Sequence, residues 1–218
     1  DIGFHYVATE SHKASGGFSS TQGANGWWYM YGSPQGAASG YLTNYAAGVW
    51  YLWTTGNDQY CKLWAGGGHP GDNYDSIRRY VSPRGGRIWV NGSVVDTQPT
   101  CGADGVSVRA AVDGTTLSSW LTLTNGGSGS LTASGLVTSG GNIDFQINKL
   151  TNNGCDSVAW DPVIAYALPL ATDGDGLADY AEDRDGDNSV DAGESDPATS
   201  NNGLTGGSAL VVFTPLQP

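Results

Sequence analysis

An all-β fold, a jelly-roll-like β-sandwich, is what the sequence predicts, and three observations carry the prediction. Short runs alternate apolar and polar residues, as in Arg87-Ile-Trp-Val-Asn-Gly-Ser-Val-Val95 and Val106-Ser-Val-Arg-Ala-Ala-Val112. Glycine occupies 34 of 218 positions, punctuating runs rich in Trp, Tyr, Val and Thr. No stretch longer than about ten residues keeps a helical period without a glycine interruption.

Taken in order, residues 1–9 place apolar side chains at Ile2, Phe4, Tyr6 and Ala8, the period of a half-buried strand. Residues 18–31 are turn-rich and then enter an aromatic strand, and 49–53 and 60–64 read as two more. In 106–112 the core side is Val106, Val108, Ala110 and Val112, and Asp113-Gly114 behind it signals a two-residue hairpin. Strands at 117–123, 131–137 and 143–147 continue at short spacing, and 160–166 closes the domain. The expected divisions are 1–17 (N-terminal strand and loop), 18–170 (β-sandwich), 171–200 (a cation-binding segment) and 201–218 (a flexible linker and a terminal β-strand).

Nine Lys and Arg stand against 21 acidic residues, a net charge of -12. That balance argues against nucleic acid and anionic membranes as partners. No apolar run reaches the roughly 18 residues that span a bilayer, so no membrane insertion is expected. A start at Asp1 without Met reads as a processed product. Of the three cysteines, Cys101 and Cys155 lie in Gly- or Asn-rich loops where a bridge is easiest to place; three separate thiols are the alternative.

The acidic residues are concentrated. Residues 173–196 hold ten of the 21, with Arg184 as the only base, a local charge of -9. Counted from Asp183, carboxylates fall at loop positions 1, 3, 5, 9 and 12: Asp183, Asp185, Asp187, Asp191 and Glu194. The Ser189 carbonyl stands at position 7. Alternate residues of a curled loop point to one centre, which supplies the hard oxygens Ca2+ takes. Position 6 is Asn188 rather than Gly, the substitute that best tolerates positive φ. An overlapping loop offers Asp173, Asp175, the Leu177 carbonyl, Asp179 and Glu182, but Ala171 stands at its first position, so that site is expected to bind more weakly. No convincing helices flank either loop. The pattern resembles thrombospondin type 3 repeats in their bacterial form, which implies structural calcium in an extracellular or cell-surface bacterial protein.

The ordered series FSSTQGANGWWYMY, GGGHPGDNYDSIRRYVSPRGGRIWVNGSV, GADGVSVRAAVDG and NNGCDSVAWDPVIAY resembles a bacterial extracellular β-sandwich module similar to carbohydrate-binding modules, over residues 18–166. The resemblance implies a non-catalytic domain. A Cys101–Cys155 bridge would be an addition to that family's pattern. No catalytic constellation is legible: His5, His12 and His69 stand apart, and no nucleophile motif is present. Asp104, Asp156 and Asp161 read as turn caps or as a further cation site at one end of the sandwich.

Two functions follow. In the first, a structural or adhesive protein assembles head to tail into filaments: Leu210, Val211, Val212 and Phe213 form an apolar strand that must pair with this chain's own sheet or with the next copy. In the alternative, the chain binds extracellular polysaccharide. Trp27, Trp28, Tyr29 and Tyr31 are the candidate platform, because neighbours on a strand face opposite ways and one of Trp27 and Trp28 must point outward. The other tryptophans, Trp50, Trp53, Trp64, Trp89, Trp120 and Trp160, are expected in core or inter-sheet packing.

Overall fold

The computed structural model describes residues 10–100 and 104–166, together with Glu182, Val190, residues 192–196, Ala198 and Thr199. Among these the chain is a β-sandwich of two antiparallel sheets. Its strands are β1 (Ser11–Lys13), β2 (Trp27–Gly32), β3 (Ala38–Tyr41), β4 (Asn44–Ala46), β5 (Val49–Tyr51), β6 (Lys62–Trp64), β7 (Gly67–His69) and β8 (Asp75–Val81). They are followed by β9 (Gly86–Asp96), β10 (Val106–Val112), β11 (Thr115–Thr116), β12 (Leu121–Leu123), β13 (Ser128–Val137), β14 (Asn142–Asn148), β15 (Val158–Trp160) and β16 (Val163–Tyr166). Two single turns of 3-10 helix, Ala24–Gly26 and Asn57–Tyr60, interrupt the strands. No described helix is long and apolar enough to cross a membrane.

The larger sheet runs β1-β16-β9-β15-β7-β6-β5-β4, with β13 on the free side of β9; the smaller runs β11-β10-β14-β8-β2-β3, with β12 also on β10. Strand β9 is the spine of the larger sheet. It pairs over its length with β13 and is shared on its other side by β16 and β15. Its alternation explains the role: Ile88, Val90 and Val94 are buried, while Trp89, Asn91, Ser93 and Val95 face out. Gly67 permits the β7–β15 pairing, since a Cβ there would sit 2.0 Å from the Val158 carbonyl oxygen.

The core lies between the sheets. Tyr29 of β2 stacks on Trp50 of β5 at 5.5 Å between ring centroids, and Phe145 of β14 meets Trp160 of β15 edge-on at 5.6 Å. Val106, Val108 and Ala110 face inward as their spacing requires, and Asp113 and Gly114 both take positive φ in the turn to β11.

Four of the six tryptophans expected in packing depart from it. Trp89 is 43% exposed and Trp53 54% exposed, because Trp89 falls on the outward phase of β9 and Trp53 lies beyond the end of β5, while Trp64 and Trp120 are half-buried outside the core, Trp120 against the Arg109 guanidinium. Two of the three histidines lie in strands: His12 on β1 is 4.8 Å from the Tyr80 ring, and His69 on β7 is buried.

Candidate functional site

The outward face of the smaller sheet gathers the most chemistry. Pleating sends Trp27 and Tyr29 inward and Trp28 outward, so Trp27, 1% exposed, and Tyr29 belong to the core and not to a surface platform. Tyr31 also lies on the inner phase, half-buried with its ring edge-on to Tyr74. Of the four platform residues expected from sequence, only Trp28 takes the outward position, and its ring partner is Tyr41 at the end of β3, centroids 5.2 Å apart. Tyr41 is 48% exposed. The benzene side of the Trp28 indole also packs on Gly23, where φ is +78° and a Cβ would fall 2.5 Å from the ring. Glycine there permits both the turn and the contact.

Beside Trp28 in register is Arg79 of β8, and beside Arg79 is Asp144 of β14. Arg79 donates from Nε to Oδ1 at 2.7 Å and from Nη2 to Oδ2 at 2.8 Å, a two-pronged ion pair. The bond to Asp144 raises the Arg79 pKa, so the guanidinium stays charged. Its unused N–H groups and the carboxylate lone pairs lie next to an exposed aromatic edge.

Further along the same face is a buried polar ladder. Asp75 accepts from the Gln35 backbone N–H at 2.7 Å, from Gln146 Nε2 at 2.6 Å and from Asn148 Nδ2 at 2.8 Å. Burial still outweighs these donors and pushes its pKa up to about 6. Arg109 holds the turn above it, donating to the carbonyl of Gln35 at 2.9 Å and from Nε to Gln146 Oε1, while its guanidinium lies 4.6 Å from the Trp120 ring centre. This end is closed by protein. The more open part is Tyr41, with Trp28 and Arg79 half-buried beside it and Asp144 buried beneath the guanidinium.

Of the three carboxylates expected at one end of the sandwich, Asp104 and Asp156 lie within electrostatic reach of each other, while Asp161 is held elsewhere by Ser15 and Lys13. Asp161 accepts from the Ser15 backbone and from Lys13 Nζ at 3.1 Å. Asp104 caps a loop, accepting from Thr151 N and Asn152 Nδ2. Asp156 is buried with neither oxygen bonded. Burial, and then the charges of Asp104 and Asp96, push its pKa up to about 8. Among the described residues no group of three or more His, Cys, Asp or Glu is placed to hold a metal ion.

Of the expected calcium ligands, Asp173, Asp175, Leu177, Asp179, Asp183, Asp185, Asp187, Ser189 and Asp191 lie outside the described residues, as do Leu210, Val211, Val212 and Phe213 of the terminal strand. Glu182 is buried and accepts from the Ser195 hydroxyl at 2.9 Å, with the Ser195 N–H on its carbonyl at 3.0 Å. Cys155 is disulfide-bonded and Cys61 is a buried free thiol whose pKa burial pushes up to about 12; Cys101 lies outside the described residues.

No family model matches the chain. No curated protein matches it either. Similar solved structures include the CBM35 of Cellvibrio japonicus Abf62 (11% identity, TM-score 0.35, covering 72% of this chain and 98% of that one). A CBM35 from Paenibacillus barcinonensis is 13% identical with a TM-score of 0.31, covering 71% of this chain and 97% of that one. An exo-β-1,3-galactanase from Phanerochaete chrysosporium is 16% identical with a TM-score of 0.32; the match covers 72% of this chain and 29% of the galactanase chain.

Proposed function

We propose that this β-sandwich binds carbohydrate through the outward face of its smaller sheet. Tyr41 and the half-buried Trp28 offer apolar ring surface to the C–H side of a sugar, and Arg79, fixed by the buried Asp144, offers N–H donors to its hydroxyls. The observation that carries the reading is their adjacency: the exposed Tyr41 against the half-buried Trp28, with the Arg79–Asp144 pair on the neighbouring strands. The partner is an extracellular polysaccharide. The disulfide at Cys155 supports an oxidising, extracellular setting. Affinity electrophoresis in gels cast with a panel of plant and microbial polysaccharides tests the proposal. Retardation by at least one polymer, lost in Trp28→Ala, is expected; migration unaffected by every polymer would sink it.

Calcium belongs to a separate part of the chain. We infer that residues 173–194 bind calcium through the carboxylate spacing described above, and that the ions neutralise a charge of -9 over 173–196.

A further inference from the structure

Arg78 is the one arginine directed into the core among the described residues. It lies on the inner phase of β8, opposite Tyr29 on one side and Phe145 on the other, and is 3% exposed. Its Nη2 donates to the carbonyls of Trp64 and Gly67. Nothing in the structure accepts from its Nε or Nη1, both fully buried. Trp160, across the gap on β15, has the same deficiency, since its indole Nε1 is buried and unbonded. Both side chains line one small cavity with Leu63, Phe145, Ile147 and Pro162.

A buried donor without an acceptor costs about 1–3 kcal/mol, more when charged, so several around one cavity point to an occupant. Its chemistry follows from counting. Nε brings one N–H, Nη1 two and the indole one, and no other lining side chain carries a polar atom. Among the lining residues, the Gly67 carbonyl already accepts from Arg78 and the Pro162 carbonyl from the Ala14 N–H. A water molecule accepts only about two hydrogen bonds, so it would leave part of this donor set unmet and the guanidinium charge uncompensated. A cation is repelled. The space holds about one water-sized body, which excludes phosphate, sulfate and any sugar carboxylate.

The charge balance agrees. No carboxylate among the described residues forms an ion pair with Arg78. Asp161, the acid whose charge reaches it, is held by Lys13 and Ser15. Burial lowers the Arg78 pKa only to about 10, so the guanidinium is a cation at neutral pH.

The geometry points to a halide site in the sandwich core: a single chloride held between the guanidinium of Arg78 and the indole N–H of Trp160, serving as the missing counter-ion that locks β8 of one sheet to β15 of the other. The site is separate from the sugar-contact face, which lies on the opposite side of β8, so the two readings stand or fall independently.

Bromide tests it. A crystal of the whole protein grown in sodium bromide, with data collected at the bromine edge, should show an anomalous peak within hydrogen-bonding reach of Arg78 Nε and Trp160 Nε1. In solution, about 100 mM chloride should raise the melting temperature by roughly 3 °C or more over gluconate at equal ionic strength, because only the folded chain binds the ion. Trp160→Phe keeps the packing and removes one donor, and should shrink that difference; Arg78→Met should abolish it. Since the arginine variant risks not folding, the wild-type comparison and Trp160→Phe carry the test. Density without anomalous signal, or equal melting in chloride and gluconate, would overturn the assignment.

Discussion

Asp156 shows how one buried group sets a pH dependence. Its carboxyl has an ordinary value of 3.8 and is pushed up to about 8, so between those limits the folded chain holds a proton that the unfolded chain has released. Stability therefore falls as pH rises from about 4 to about 8, with the full penalty present above. Asp156→Asn removes the charge and keeps the shape. In metal-free buffer the variant should match wild type near pH 4 and exceed it by roughly 1–3 kcal/mol at pH 8, after allowing for the amide's own burial. Urea melts at both values decide the point, and a variant weaker than wild type at pH 8 would contradict this account. Arg79 acts at the same scale in the opposite sense, because its partner is present and well aligned.

Among elements, the contrast between β10 and β8 explains what the sequence could reveal. In β10 the alternation of valine with polar residues matches the pleat, so its span, its inner face and the Asp113-Gly114 turn were all legible. Strand β8, Asp75–Val81, hides its pattern: Arg78 and Ser76 occupy inward positions, and Asp75 and Ile77 are buried on the outward side beneath a loop. Charge where alternation demands an apolar residue reads as a loop. Strands β3, β4 and β7 are too short for a period to show. The candidate site was legible only at Trp28. Its other parts come from distant strands, since Arg79 and Asp144 lie 65 positions apart and only the β14–β8 register joins them. Gly67 offers a test at this scale. With the Val158 oxygen 2.0 Å from where a Cβ would stand, Gly67→Ala must force β7 and β15 apart. A loss of about 3 kcal/mol or more is expected in chemical denaturation, and a loss under about 0.5 kcal/mol would show that the pairing is not as described.

At the scale of the whole molecule, the sandwich and the acidic segment meet different needs. In the sandwich, Asp161 is bridged to Lys13, Asp104 caps a loop and Asp156 is buried within reach of the Asp104 and Asp96 charges. The charge of -9 over residues 173–196 is where an ion would matter. Limited proteolysis with calcium and with chelator should show cleavage within 173–194 appearing only on chelation, while 18–166 stays intact. Identical digestion patterns would refute the calcium assignment.

The central claim, that the outward face of the smaller sheet binds carbohydrate, is tested most directly by titration calorimetry. Wild type, Trp28→Ala, Tyr41→Ala and the control Trp89→Ala should be titrated with the polysaccharide that retards the wild type most. Trp89 is an exposed aromatic on the larger sheet and should be dispensable. The account predicts at least about a tenfold loss of affinity, about 1.4 kcal/mol, for each of the first two variants and none for the third. Wild-type affinity in Trp28→Ala and Tyr41→Ala, with the loss appearing in Trp89→Ala, would place the site on the other sheet and contradict it.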